Sequence, residues 1–317
     1  MTSIASPQAD ALDAFRQDRT YLGADHSRNE RRTWAVTAIC AVTLVGLMAG
    51  GLMFGSMALL ANGVHMAAHV AALLVSAGAY ALARRHAADP RFAFGTGKLG
   101  YLAGFANAVV LAVTAVLIGT ESLKRLLDPH AVDYHGALPL AAAGLGLNLI
   151  CVWLLRPTRL HRERNDRDGD LNLSSAYLHL VADAGVSVVA LGAMALGRYL
   201  GWAFLDPAAG LVGAVLVAHF SIRLLRQAGA ALLDINPNPE LTREVRERLA
   251  AGGEAVIDLH LWRLGPGHHA VIAVVAGDDD ADAYRARLAG LPGLSHVTIE
   301  VRAEAGHQHH GHSHSHG

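Results

Sequence analysis

Two apolar stretches of this chain each carry a pair of metal-ligand side chains at the same spacing. His65 and His69 stand four apart within residues 57–83, and His179 and Asp183 stand four apart within residues 171–190, LNLSSAYLHLVADAGVSVVA. Residues at i and i+4 share one face of a helix, so each stretch, folded as a helix, presents its pair to one side. Imidazole and carboxylate are ligands that divalent zinc, cobalt and nickel accept, and three histidines with one aspartate can close a tetrahedral shell. A carboxylate at membrane depth is costly and usually marks an ion or proton site. Asn172, Ser175 and Ser187 fall near the stripe of His179 and Asp183. One such pair alone also reads as a buried polar contact between helices. Two pairs at matched spacing favour a shared divalent cation, and the expectation is that the four side chains meet.

The same spacing has a catalytic use. Zinc peptidases place two histidines four apart, but their motif is H-E-x-x-H, with the glutamate as general base. Here that position is Met66, which accepts no proton. Asn62 can hydrogen-bond a ligand histidine or cap a helix. Asp206-Pro207 reads as a helix start, with Asp as N-cap and Pro at the first helical position. Glu121, Asn107 and Asn148 read as packing or helix–helix hydrogen bonds. Cys40 and Cys151 lie in apolar stretches, far from any CxxC spacing, and read as small buried hydrophobes. Residues 305–317, AGHQHHGHSHSHG, have the composition of a metal-binding tract, and the interspersed Gly, Ser and Gln distinguish them from a plain affinity tag.

The elements that must position these residues follow from hydropathy. Apolar residues make up 52% of the chain and charged residues 17%, with a mean hydropathy of +0.30, which sets it apart from ordinary soluble proteins. A net charge of −1 offers no argument for nucleic acid as a partner. No apolar signal segment precedes the first long hydrophobic run, so a cleaved leader is not expected. Six apolar spans are predicted, at 33–54, 57–83, 98–127, 137–155, 171–200 and 203–233. Each is expected to be long enough to cross a ~30 Å hydrocarbon core, which needs about 20 helical residues. Six spans put both termini on one side. Arginine and lysine cluster in the arm 1–32, in 84–98 and in 156–167, so that side is cytoplasmic by the positive-inside rule. The expected organisation is an N-terminal cytoplasmic arm (1–32), a six-helix transmembrane domain (33–233), a small cytoplasmic α+β domain (234–304) and the histidine-rich tail (305–317). Within the α+β domain, alternating patterns predict a helix at 240–251, strands at 256–264 and 269–275, a helix at 280–288 and a strand at 295–302.

Four motifs carry a family resemblance: GSMALLANGVHMAAH in the second span, FGTGK at 94–98, DLNLSSAYLHLVADAGVS leading through the fifth span, and DLHLWRLGPG in the α+β domain. Together they resemble the cation diffusion facilitators over most of residues 28–302. The resemblance implies a homodimeric exporter in the bacterial inner membrane, with six membrane helices and a ferredoxin-like cytoplasmic domain. It implies exchange of a cytoplasmic divalent metal for protons, with no prosthetic group and no enzymatic activity. The family's transport site maps onto His65, His69, His179 and Asp183. This chain has His69 where the family usually has Asp, and Asn62 where it often has Asp. Residues 26–34 and the His-x-x-x-His pair are similar to the branch that exports cobalt and nickel, while the same ligands also suit zinc. Some members bind a second metal in the loop after the second helix. Here Asp89 remains, with Phe92 and Thr96 at positions where ligand histidines can occur. His260, His268, His269 and His296 are the histidines that the α+β domain offers to a regulatory metal. A metal-binding membrane protein that does not transport is the competing reading, which a flux measurement separates from an exporter.

Overall fold

The computed structural model describes residues 21–22, 25–54, 57–128, 134–156, 170–202, 204–236 and 238–303. The tail 305–317 and most of the arm 1–32 lie outside the described residues. The chain divides into two compact units, Met1–Ile235 with Leu264–His268, and Asn236–Arg263 with His269–Gly317.

The first unit holds six long helices: α1 (His26–Phe54), α2 (Met57–Arg85), α3 (Leu99–Leu127), α4 (Tyr134–Leu155), α5 (Leu171–Leu200) and α6 (Leu205–Leu232). Among the described residues, His26–Gly50, Leu99–Leu127, Leu171–Leu200 and Pro207–Leu232 are long and apolar enough to cross a membrane, and Ala141–Leu155 is a shorter apolar helix. The first helix starts at His26, ahead of the expected residue 33. Its opening turns are polar, so hydropathy does not register them. They are held by bonds to other helices: Asn29 donates to Asp170 at 2.9 Å, and both oxygens of Glu30 accept from Arg84 at 3.0 Å.

Helix α5 packs on both sides. One face joins Val36 and Cys40 of α1, Met66, Val70 and Leu73 of α2, and Cys151 and Leu155 of α4 through Leu173, Ala176 and Leu180. The other face packs Ala182 against Ala108, Leu111 and Ala115 of α3 and Val217 and Leu224 of α6. A helix covered on two faces is apolar almost all round, which is why polar residues along it stand out. Gly100 and Gly104 of α3 lie against Asn172, Leu171 and Ser175, and small residues there let the two backbones approach closely. The two cysteines, distant in sequence, face one another across α1 and α4 with their sulfurs 3.8 Å apart.

The second unit is built from α7 (Pro239–Leu249), β1 (Ala255–Gly265), β2 (His268–Ala276), α8 (Ala281–Leu288) and β3 (Leu294–Arg302), except that Leu264–His268, where β1 turns into β2, group with the first. The sheet order is β1-β2-β3. β1 runs into β2 through Pro266-Gly267, where Gly267 takes a positive φ of 74°. β2 and β3 are parallel, with Val271 opposite Val297 and Ala273 opposite Ile299, so α8 is the crossover that a parallel pair requires. Asn238 caps α7 by accepting from the Leu241 amide, and Asp280 caps α8 by accepting from Ala283. Leu241, Val245 and Leu249 line one face of α7 and bury with Val271, Ala273, Val275, Tyr284 and Leu288.

Candidate metal centre

Asp170 begins α5. Its Oδ1 accepts from the amides of Asn172 and Leu173 and so caps the helix whose Asp183 meets His69 of α2. Its Oδ2 accepts from Asn29 and from the Tyr80 hydroxyl, so one carboxylate ties the ends of α1, α2 and α5 together. His26 donates from Nε2 to the Tyr80 carbonyl at 3.1 Å. Further in, Ser76 is the second tie. The Asn172 amide donates to the Ser76 carbonyl at 2.8 Å, and the Asn107 amide donates to Ser76 Oγ at 2.7 Å. Ser76 stands seven residues after His69, and Asn172 seven before His179. Seven residues are about two helical turns. Pairing Ser76 with Asn172 on helices that run in opposite directions therefore brings His69 level with His179.

His69 Nδ1 lies 3.2 Å from Asp183 Oδ2, and His179 Nε2 lies 3.4 Å from the same oxygen. The two imidazoles meet nearly edge to face, with centroids 5.1 Å apart at 77°. One ligand atom from each of the three side chains lies within 4.8 Å of the others, and all three residues are buried. His65 precedes His69 by one turn on α2, with Asn62 a further turn back. Both are in helical backbone, and their side chains lie outside the described residues. A cavity beside the site is lined by His69, His179 and Asn107, with Leu73, Ala176 and Leu180 as apolar wall.

These three side chains could hold a divalent cation, and they can hold protons on the same lone pairs. Cation and protons therefore compete for them. A carboxylate between two imidazoles suits that exchange, because one negative charge faces whichever positive species is present.

The weaker candidates are spread through the chain. Asp89 is engaged by Arg91, whose Nη2 lies 2.7 Å from Oδ2, and this guanidinium holds the Asp89 carboxyl down at about 2. His260 bonds Asp258 at 2.9 Å on the same strand. His269 is fully buried and bonds the Gly293 carbonyl, and His296 lies 3.4 Å from the Thr298 hydroxyl. His268 opens β2. Among the described residues, His69, His179 and Asp183 form the one group of three or more metal-ligand side chains close enough to share an ion. Sequence reading passed over Asp170, Tyr80 and Ser76 and gave Asn107 a packing role. The bond from Asn107 to Ser76 is such a contact, but the residue also faces the cavity. An amide inside an apolar helix was the available signal.

The family model of the cation efflux transmembrane domain matches residues 33–233. Among curated proteins, the chain is 32% identical over 240 residues to the zinc transporter ZitB of Yersinia pestis, covering 75% of this chain and 74% of that protein. It is 27% identical over 300 residues to a cadmium, cobalt and zinc/H(+)-K(+) antiporter of Bacillus velezensis, covering 90% and 93%. It is 29% identical over 293 residues to the metal cation efflux system protein CzcD of Cupriavidus metallidurans, covering 88% and 90%. With its apolar helices and bacterial relatives, the chain is an integral protein of the bacterial inner membrane. A family match across most of the helical unit, and a metal-ligand cluster between two of its helices, make this chain a member of the cation efflux, or cation diffusion facilitator, family.

Proposed function

We propose that this protein exports divalent transition metal cations from the cytoplasm in exchange for protons, through a site made of His65, His69, His179 and Asp183. The observation that carries the reading is the buried cluster in which His69 of α2 reaches the same Asp183 oxygen as His179 of α5. His65, one turn along α2, is the fourth ligand in this reading. Open to the cytoplasm, neutral imidazoles and an ionised Asp183 take up the ion. Open to the outside, protons displace it. The proposed organisation is six membrane spans with both termini cytoplasmic, an arm at 1–32, a transmembrane domain at 33–233, an α+β domain at 234–304 that holds a homodimer together, and a tail at 305–317 that gathers ions.

The names of the relatives reported above carry zinc, cadmium and cobalt. The nitrogen-rich ligand set is the support for cobalt and nickel, because His69 replaces a customary carboxylate with an imidazole. Those relatives are transporters by name, and Met66 stands where a peptidase needs its glutamate, so the reading is a transporter rather than an enzyme.

The test is flux in proteoliposomes under a pH gradient, with zinc, cobalt, nickel and cadmium side by side. The wild type moves metal against the proton flow, and Asp183→Asn, inserted equally well, moves none. Metal binding without flux in the wild type would establish the non-transporting reading instead.

A further inference from the structure

The cluster described above lies between α2 and α5, yet the cavity beside it has a wall from a third helix. Asn107 of α3 lines that cavity together with His69 and His179. It is 1% exposed. Its amide nitrogen is committed to Ser76 Oγ at 2.7 Å. Its Oδ1 is buried with no hydrogen-bond partner among the described residues. A buried carbonyl oxygen without a partner is expensive, and it calls for a reason. The rest of the wall, Ala72, Leu73, Ala176 and Leu180, offers a hydrated ion no side chain to bond.

Ser76 holds this amide in place from two directions. Its Oγ accepts from Asn107, and its own carbonyl accepts from Asn172 of α5. The arrangement is therefore pre-set by α2, α3 and α5 together, and it lies on the side of the ligand cluster toward Tyr80 and Asp170. On the proposed topology, that is the cytoplasmic side, from which the ion arrives.

We infer that Asn107 is a positioning and specificity residue for transport: its amide oxygen accepts from the water that an incoming divalent cation still carries and guides the ion onto His69, His179 and Asp183. The contact is to the hydration shell. An amide oxygen is a harder donor than imidazole and a weaker ligand for zinc or cobalt, whereas water on a dication is a strongly polarised donor. This inference rests on the transport reading given above.

Initial-rate flux of zinc and cobalt into proteoliposomes tests it, using the full-length chain as wild type, Asn107→Leu, Asn107→Asp, Ser76→Ala and Asp183→Asn. Losing one hydrogen bond to the ion's water raises KM roughly three- to tenfold in Asn107→Leu, with a maximal rate within about twofold of wild type. Asn107→Asp, which restores an oxygen, recovers most of that loss. Ser76→Ala, a small-for-small change that frees the amide, moves KM in the same direction by a smaller factor. It decides the matter if Asn107→Leu is not monodisperse in detergent. An unchanged KM in Asn107→Leu, or a fall in maximal rate with KM untouched, overturns the inference and leaves Asn107 a packing residue. An Asn107→Asp variant no better than Asn107→Leu also overturns it. Asp183→Asn reports on the transport site separately. If that variant still carries metal, the site reading itself fails, whatever Asn107 does.

Discussion

At the level of single residues, His69 is the most informative position, because the family resemblance implies Asp there. With Asp there, the proposed site would hold two negative charges against a dication. With His69 it holds only that of Asp183, and the loaded site keeps a net positive charge. Returning His69 to Asp is therefore expected to retain zinc flux and to lower cobalt and nickel flux relative to zinc by about tenfold, a difference of roughly 1.4 kcal/mol in favour of the harder oxygen set. Equal ratios among the metals in wild type and His69→Asp would remove His69 as the source of selectivity. The i,i+4 spacing of both pairs was legible from the amino-acid order, because helical periodicity alone puts such residues on one face. That the pairs meet was an expectation from their matched spacing; which helix faces bring His69 onto Asp183 beside His179 was not legible. The Ser76–Asn172 tie that accompanies it is a side-chain-to-backbone bond between residues 96 positions apart.

Among the elements, the end of α5 bears the most structure. Asp170 caps its own helix and accepts from Asn29 of α1 and Tyr80 of α2. Removing the carboxylate in Asp170→Ala loses the cap, about 0.5–2 kcal/mol, and strands two buried or half-buried donors as well. The expected result is a clear drop in the thermal midpoint of the detergent-solubilised protein, with a smaller drop in Tyr80→Phe, which removes only one of the bonds. Midpoints unchanged in both variants would show that the hub contributes nothing to holding α1, α2 and α5. The other end of α5 stops at Gly201, which takes a left-handed φ of 71° as the C-cap, a conformation glycine adopts without strain. Apolar spans were readable as helices because about 20 apolar residues have few other stable uses. The polar first turns of α1 were not readable, because their partners sit in α2 and just ahead of α5.

For the molecule as a whole, the second unit carries an ion pair whose strength depends on pH. In the second unit, Arg287 lies 2.7 Å from Glu254 and 2.6 Å from Asp279, and its guanidinium hydrogen bond holds the Glu254 carboxyl down at about 2. A carboxyl depressed in the fold contributes stability that is present above its unfolded value, near 4.3, and is lost as pH falls toward 2. Thermal unfolding of the full chain between pH 5 and 2.5 is expected to show a smaller acid-induced loss in Glu254→Gln than in wild type, with Glu254→Gln the less stable of the two at neutral pH. Parallel curves would exclude this pair as a source of acid sensitivity.

The order of amino acids by itself determined the class of this protein: apolar runs of membrane length, a polar α+β segment after them, and two ligand pairs at helical spacing. Those are local properties, set by periodicity and by the transfer energy of side chains. Only the tertiary structure decided that His69 and His179 share one Asp183 oxygen and that Asp170 binds three helices. It alone placed Asn107 at the cavity wall. Each of those depends on which helix faces turn toward one another, and that is fixed by apolar packing together with polar bonds between distant residues whose pairing no local pattern encodes.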